Sequence, residues 1–258
     1  MSALRIAAII PARMASSRFP GKPLLAVNGL PMIEHVRRRT ALCAGFSEVI
    51  VATCDQAIAE VVKAYGGICV MTSPEHPAAS DRVAEAMAQR DCTHVVNVQG
   101  DEILVLPHDL QRMASAIEAA PEVPAWNAVA RIETREELGD PSVVKCVLSG
   151  SGRVLYCARD FSALGVRREE GYEPVRRVLG ILGYRREFLQ RYGELPRTPL
   201  ERAGSIDQNR ILEHDVLLQA IEFTRGYPGI NEPREVAVVE QLLRSDASQQ
   251  GVLQEILR

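Results

Sequence analysis

The sequence predicts an α/β protein with a Rossmann-like three-layer nucleotidyltransferase fold. The central sheet is mixed and mainly parallel, and a small subdomain is added. Two local observations point there. Through about residue 120, short apolar runs alternate with segments of helical period, as βαβ crossovers require. The first of these runs is apolar without a break from Ile6 to Ile10, which suits a strand covered on both faces. A third observation is that 258 residues, 47% of them hydrophobic, can bury a large core.

The elements follow in order. Leu4–Ile10, apolar except for Arg5, reads as a buried strand. Pro31–Ala44 has helical spacing with proline at its first position. Strand Glu48–Thr53, helix Gln56–Tyr65, strand Ile68–Thr72, helix Ser80–Arg90, strand His94–Val98 and helix Pro107–Ala119 complete the alternation. Beyond residue 120 the pattern becomes strand-rich. Ala125–Ile132, Val143–Leu148 and Val154–Ala158 are strand-like, and Ser149–Gly152 (SGSG) reads as a hairpin turn. Ser162–Tyr172 is polar and loop-like, and Val178–Tyr184 is a further apolar segment. Helices are expected at Arg186–Tyr192, around Ile206–Glu213, and at Glu232–Leu243, the last packed helix. The SDASQQ stretch after Arg244 reads as a weakly ordered extension before a short terminal helix. The second half is expected to complete the sheet of the first.

Composition excludes several classes. A net charge of −3 gives no footprint for duplex nucleic acid. Aromatic content of 5%, with Trp126 the only tryptophan, argues against base-stacking platforms. No apolar run approaches the ~18 residues of a membrane span. The N-terminal apolar stretch meets Pro11 and then Arg13, Arg18 and Lys22, unlike a signal peptide. The six cysteines form no CxxC pair and lie mostly in apolar stretches, which suits reduced thiols in a cytoplasmic protein.

Two clusters carry chemistry. Pro11–Lys22, PARMASSRFPGK, follows the first strand and gathers Arg13, Arg18, Lys22, Ser16, Ser17 and Gly21. Ligands of open α/β sheets bind beyond the carboxyl ends of the strands, and such a loop suits a triphosphate. Neither the Walker A pattern nor GxGxxG is present, and a solvated basic loop is the alternative. Asn97–Glu102, NVQGDE, ends a later strand. A carboxylate beside a glycine is a good magnesium ligand there, Asp101 ahead of Glu102, although Gly-Asp also serves as a plain turn. Facing each other, the two clusters would form a cradle for a metal–triphosphate.

The stretches IIPARMASSRFPGKPLLAVNGLPMIEHV, DRVAEA and NVQGDE closely resemble the cytidylyltransferases that activate 3-deoxy-manno-octulosonate (KDO). The likeness continues more weakly through LGILGYR, DQNR and YPGINEP. This resemblance implies one nucleotidyltransferase domain over residues 1–258, with CTP held by 1–120. Residues 121–258 would hold the acceptor and form a homodimer. It implies an attack by an acid-sugar oxygen on the α-phosphate of CTP, with pyrophosphate leaving and Mg²⁺ as cofactor. Pro11, Ala12, Arg13, Ser16, Arg18, Lys22, Arg82 and Gln99 would bind nucleotide, with Lys22, Arg13 and Asp101 catalytic. Gln99, Arg159, Tyr184, Asp207 and Gln208 would bind the acceptor. Asp101 and Asn231 would bind the metal. No nucleic-acid or membrane partner is implied.

The departures concentrate on the acceptor side. HxSGTDR becomes His76–Arg82 without its glycine, and Arg82 retains the position of the family's nucleotide-facing arginine. Its alternative role is a surface salt bridge. In the segment matching RHLGIYGYR, Val178 and Leu182 replace a histidine and a tyrosine. SRAxIP becomes Ala158–Ala163, LEQLR becomes Ile206–Arg210, and Asn231 replaces a metal-binding aspartate. Fewer hydrogen-bond donors suggest a less hydroxylated acceptor, a modified acid sugar or a phosphonate. Competing readings are a nucleotide-binding homologue without catalysis and a transferase for another base. His76 could approach the ligand or simply belong to the loop, while His35, His94, His108 and His214 read as surface or packing residues.

Overall fold

The computed structural model describes residues 4–258 except Ser17, Pro77, 163–171 and 173–174. The chain divides into two compact units: Met1–Ser115 with Tyr227–Arg258, and Ala116–Gly226. The first division falls between residues 115 and 116, and the last 32 residues cluster with the first unit.

The first unit is built on parallel strands. β1 (Ile6–Ala12) is buried at every position, as its unbroken apolar run requires. A 3₁₀ turn at Lys22–Leu24 and the two-residue strands β2 (Ala26–Val27) and β3 (Leu30–Pro31) lead into α1 (Met32–Ala41). Pro31 thus sits just before the helix rather than inside it. β4 (Glu48–Thr53), α2 (Gln56–Ala64), β5 (Ile68–Met71), α3 (Ala79–Ala88), β6 (His94–Val98) and α4 (Pro107–Ala119) follow the expected order. β1 pairs in parallel with both β4 and β6, and β4 pairs with β5. Their carboxyl ends therefore project four successive loops in one direction.

The second unit is mixed. β7 (Ala125–Arg131) is followed by the short helix α5 (Glu136–Gly139), β8 (Lys145–Leu148) and β9 (Val154–Ala158). β8 and β9 pair antiparallel around the predicted SGSG turn, where Gly152 takes φ of 79°, a conformation glycine adopts without strain. β10 (Val175–Arg185) pairs antiparallel with β7 and β8, with an irregularity between Val178 and Leu182. α6 (Arg186–Tyr192), α7 (Pro199–Gly204) and α8 (Asp207–Glu213) precede β11 (Leu218–Glu222), which runs parallel to β7. α7 and β11 were not expected from the sequence. α7 is short, and its stability rests on Glu201, which accepts from the Thr198 amide and pairs with buried Arg210. Most of the polar 162–172 segment lies outside the described residues.

The chain ends with α9 (Glu235–Ser245) and α10 (Ala247–Ile256). The SDASQQ stretch is not a loose extension. Asp246 caps α10 by accepting from the Gln249 amide at 3.1 Å, and Gln249 and Ile256 are buried. A polar composition concealed a helix start. Among the described residues no helix is long and apolar enough to cross a membrane. None of the six cysteines forms a disulfide; four are buried, and burial pushes the Cys146 thiol up to about 12. His35 and His94 are buried packing residues, while His214 lies near the surface.

Candidate active site

The loop after β1 is folded on the Met14 carbonyl, which accepts from the amides of Ser16 at 2.9 Å and Gly21 at 3.0 Å. The Met14 amide donates to Asp55 Oδ2, just past β4, at 2.8 Å. Gly21, at φ 77°, turns the chain so that Lys22 opens the 3₁₀ turn. Sequence spacing supplied the cations of this loop; the anchor at Asp55 carried no recognisable signal.

A second loop, after β5, leads into α3. Asp81 accepts from the Ala78 amide at 3.2 Å and so closes the start of that helix in place of a capping side chain. Arg82 is buried and hydrogen-bonds Thr72 Oγ1, so it is not a surface salt-bridge residue. His76 pairs with Glu85, and the bonds from His76 and from the Ser73 amide hold the Glu85 carboxyl below its usual range. Pro77 lies outside the described residues.

The third loop follows β6 and is a chain of tight turns. The amides of Glu102, Ile103 and Val105 bond the carbonyls of Gln99, Asp101 and Glu102. A Cβ on Gly100 would lie 2.9 Å from the Pro11 carbonyl oxygen, so only glycine lets this turn approach β1. Gly229 meets the other side: a Cβ there would lie 2.7 Å from the Asp101 carbonyl oxygen.

These loops enclose one cavity of about 270 Å³. Pro11 and Ala12 line it from the end of β1, Arg13, Ser16, Arg18 and Lys22 from the loop that follows, His76 and Arg82 from the second loop and the start of α3, and Gln99, Gly100 and Asp101 from the third loop. Asn231 enters from the segment before α9, and Met32 and Pro23 add apolar wall. The two clusters separated in sequence do face each other. Lys22 Nζ lies 3.0 Å from Asp101 Oδ2 and donates to the Ile230 carbonyl at 2.9 Å. Arg18 Nη2 donates to Asn231 Oδ1 at 3.1 Å. Among the described residues of the lining, four cationic side chains stand against the single carboxylate of Asp101, which makes it strongly attractive to a polyanion.

The hard oxygen donors present suit Mg²⁺. Asp101 offers a half-buried carboxylate and Asn231 a neutral carbonyl oxygen in the same cavity, and the remaining positions would fall to phosphate oxygens. Among the described residues no group of three or more His, Cys, Asp or Glu gathers as a protein-only metal cage.

The expected acceptor residues belong mainly to the second unit, and there several are engaged structurally. Arg159 donates to the carbonyls of Gly204, Pro141 and Ser205. Tyr184 is fully buried and packs against Phe188 and Tyr192. Gln208 donates to Asn127 Oδ1 at 2.8 Å, and Asn127 donates in turn to backbone carbonyls of Ala128 and Leu179. Asp207 opens α8. Leu182 is buried, whereas Val178 is half-buried, the two flanking the irregularity of β10.

A family model described as cytidylyltransferase matches residues 7–221. A 3-deoxy-manno-octulosonate cytidylyltransferase of Myxococcus xanthus is 44% identical, over 95% of this chain and 99% of the relative. An 8-amino-3,8-dideoxy-manno-octulosonate cytidylyltransferase of Shewanella woodyi is 35% identical, over 94% of this chain and its own full length. The solved structure of a CMP:2-keto-3-deoxy-manno-octonic acid synthetase complexed with CTP superposes with a TM-score of 0.88 at 33% identity. It covers 94% of this chain and 99% of that one.

Proposed function

The chain belongs to the cytidylyltransferase family, and we propose that it transfers CMP from CTP to KDO or a close octulosonate, releasing pyrophosphate. The observation that carries this reading is the cavity in which Arg13, Arg18, Lys22 and Arg82 converge beside Asp101. Nucleotidyl transfer needs positioning and charge neutralisation more than covalent help. An acceptor oxygen forms a bond to the α-phosphorus while the bond to the pyrophosphate oxygen breaks.

Arg13, Arg18 and Arg82 hold the triphosphate by charge-assisted hydrogen bonds, and Ser16 adds a hydroxyl donor. Lys22 exchanges its contact with Asp101 for a phosphate oxygen and stabilises the charge that develops on the leaving pyrophosphate. Asp101, aided by the Asn231 carbonyl, would hold Mg²⁺, which supplies Lewis-acid neutralisation of the phosphate oxygens. Gln99, which lines the cavity, would contact the base or the acceptor. Acceptor recognition falls to the second unit, with Gln208 and Asp207 as its polar candidates. Arg159 and Tyr184 act there through the structure they hold.

The octulosonates named in the relatives favour that acceptor class over a phosphonate. We further propose a homodimer in the cytoplasm. The direct test is pyrophosphate release from CTP and Mg²⁺ with KDO, with 8-amino-3,8-dideoxy-manno-octulosonate and with no sugar. Sugar-dependent release with formation of a CMP-sugar is the expected result. CTP binding without release in either sugar arm would refute the transferase reading and leave a nucleotide-binding protein.

A further inference from the structure

The turn that carries Asp101 is supported from behind by a buried polar pair. Gln249, the third residue of α10, donates from Nε2 to the Leu104 carbonyl at 2.8 Å. Its Oε1 accepts from Arg39 Nη1 of α1 at 2.8 Å, and the same nitrogen reaches the Val105 carbonyl at 3.3 Å. Both side chains are fully buried. Leu104 and Val105 immediately follow the run of turns that presents Gln99 and Asp101 to the cavity.

This pair is an expensive way to pack a helix. Two nitrogens of Arg39, Nε and Nη2, find no partner among the described residues, and burial lowers the guanidinium pKa to about 10. A buried ion left incompletely partnered is destabilising relative to an apolar side chain of similar volume. What the pair does provide is direction: it fixes two consecutive carbonyls of the loop. The placement of Gln249 is itself specified, because Asp246 caps its amide and Tyr227 Oη donates to Asp246 Oδ2 at 2.9 Å.

We propose that Arg39 and Gln249 are positioning residues that hold the Asp101 turn in its metal-binding conformation. The C-terminal helix is thereby part of the machinery of the site. The inference rests on the reading of Asp101 as a magnesium ligand in a CTP-dependent transferase.

Three variants test it. Gln249→Glu keeps a partner for Arg39 but removes the donor to Leu104, and Gln249→Met removes both bonds. Arg38→Met is the control. It deletes another α1–α10 bond, from Arg38 Nη1 to the Ile256 carbonyl at 2.6 Å, without touching the loop. The readouts are hydrogen exchange at the amides of Glu102, Ile103 and Val105, and Mn²⁺ affinity in the presence of CTP. Gln249→Glu is expected to speed that exchange and to weaken Mn²⁺, each roughly tenfold, with CTP affinity in metal-free buffer unchanged. Arg38→Met lowers stability while leaving exchange in the loop and Mn²⁺ affinity as in the wild type. The proposal is overturned if folded Gln249→Glu and Gln249→Met keep wild-type exchange and Mn²⁺ affinity, or if Arg38→Met shifts both equally. A wild-type chain inactive on both sugars, with the Gln249 variants still showing these shifts, would overturn the transferase reading alone.

Discussion

The Lys22 ammonium lies 3.0 Å from Asp101 Oδ2 across 79 residues of sequence. It joins the loop after the first strand to the turn after the sixth. The same nitrogen donates to the Ile230 carbonyl, so one cation ties together three segments around the cavity. The contact supplies a counter-charge for the carboxylate and keeps it oriented.

Neutralising either partner is therefore expected to remove transition-state stabilisation rather than fold. Lys22→Met and Asp101→Asn should each lower kcat by about 10²–10³. Asp101→Asn should also blunt the Mg²⁺ dependence. Steady-state pyrophosphate release across a Mg²⁺ titration checks both; unchanged kcat in Lys22→Met would remove this lysine from the mechanism.

Asn231 offers only a neutral oxygen, already bonded to Arg18. Asn231→Asp adds a carboxylate to a cationic cavity and should lower the Mg²⁺ concentration for half-maximal activity about tenfold, or ~1.4 kcal/mol. An unaltered titration midpoint would show that this position does not face the metal.

Gly100→Ala places a methyl 2.9 Å from the Pro11 carbonyl oxygen, and neither neighbour is the end of a flexible side chain. Backbone must move, and a displacement near 1 Å at a reacting centre can cost about 10²-fold in kcat/KM. Gly251→Ala is the contrasting case, with open space around its would-be Cβ in the middle of α10. It should keep activity and raise stability by roughly 0.5–1 kcal/mol. Kinetics and thermal melts on the two variants separate the effects.

His35 is fully buried, with Nε2 donating to the Val27 carbonyl at 2.7 Å, and burial lowers its pKa from 6.5 to about 4. Between those values the unfolded chain binds the proton and the folded chain does not. Its contribution is complete above pH 6.5 and is lost as pH falls, approaching about 3 kcal/mol at pH 4. His35→Gln retains a donor for Val27 and should flatten this part of the stability–pH curve. Chemical denaturation at pH 4.5 and 7 measures the difference.

Much of the fold was legible from periodicity. β4, β6, α4, β9 and α6 coincide with the segments read from the sequence because their patterns were bounded by prolines, glycines or polar turns. α7, β11 and the cap of α10 were not legible. α7 is short, and a helix of six residues takes its stability from tertiary partners such as the Glu201–Arg210 pair. In the site, the cations of the first loop and Asp101 could be named from motif and position. Asp55, Gly229, Arg39 and Gln249 could not, because each acts through a backbone group distant in sequence.

Residue order alone determined the alternating architecture, the cationic loop, the acidic turn and the family whose motifs they match. All of these are local patterns or direct identities. Only the folded chain decided that Lys22 meets Asp101, that Arg82 is buried beside Thr72, that Leu182 is buried, and that the last helix supports the active turn. Those outcomes depend on which distant backbone carbonyls and side chains packing brings within hydrogen-bond reach, and no one-dimensional period encodes that.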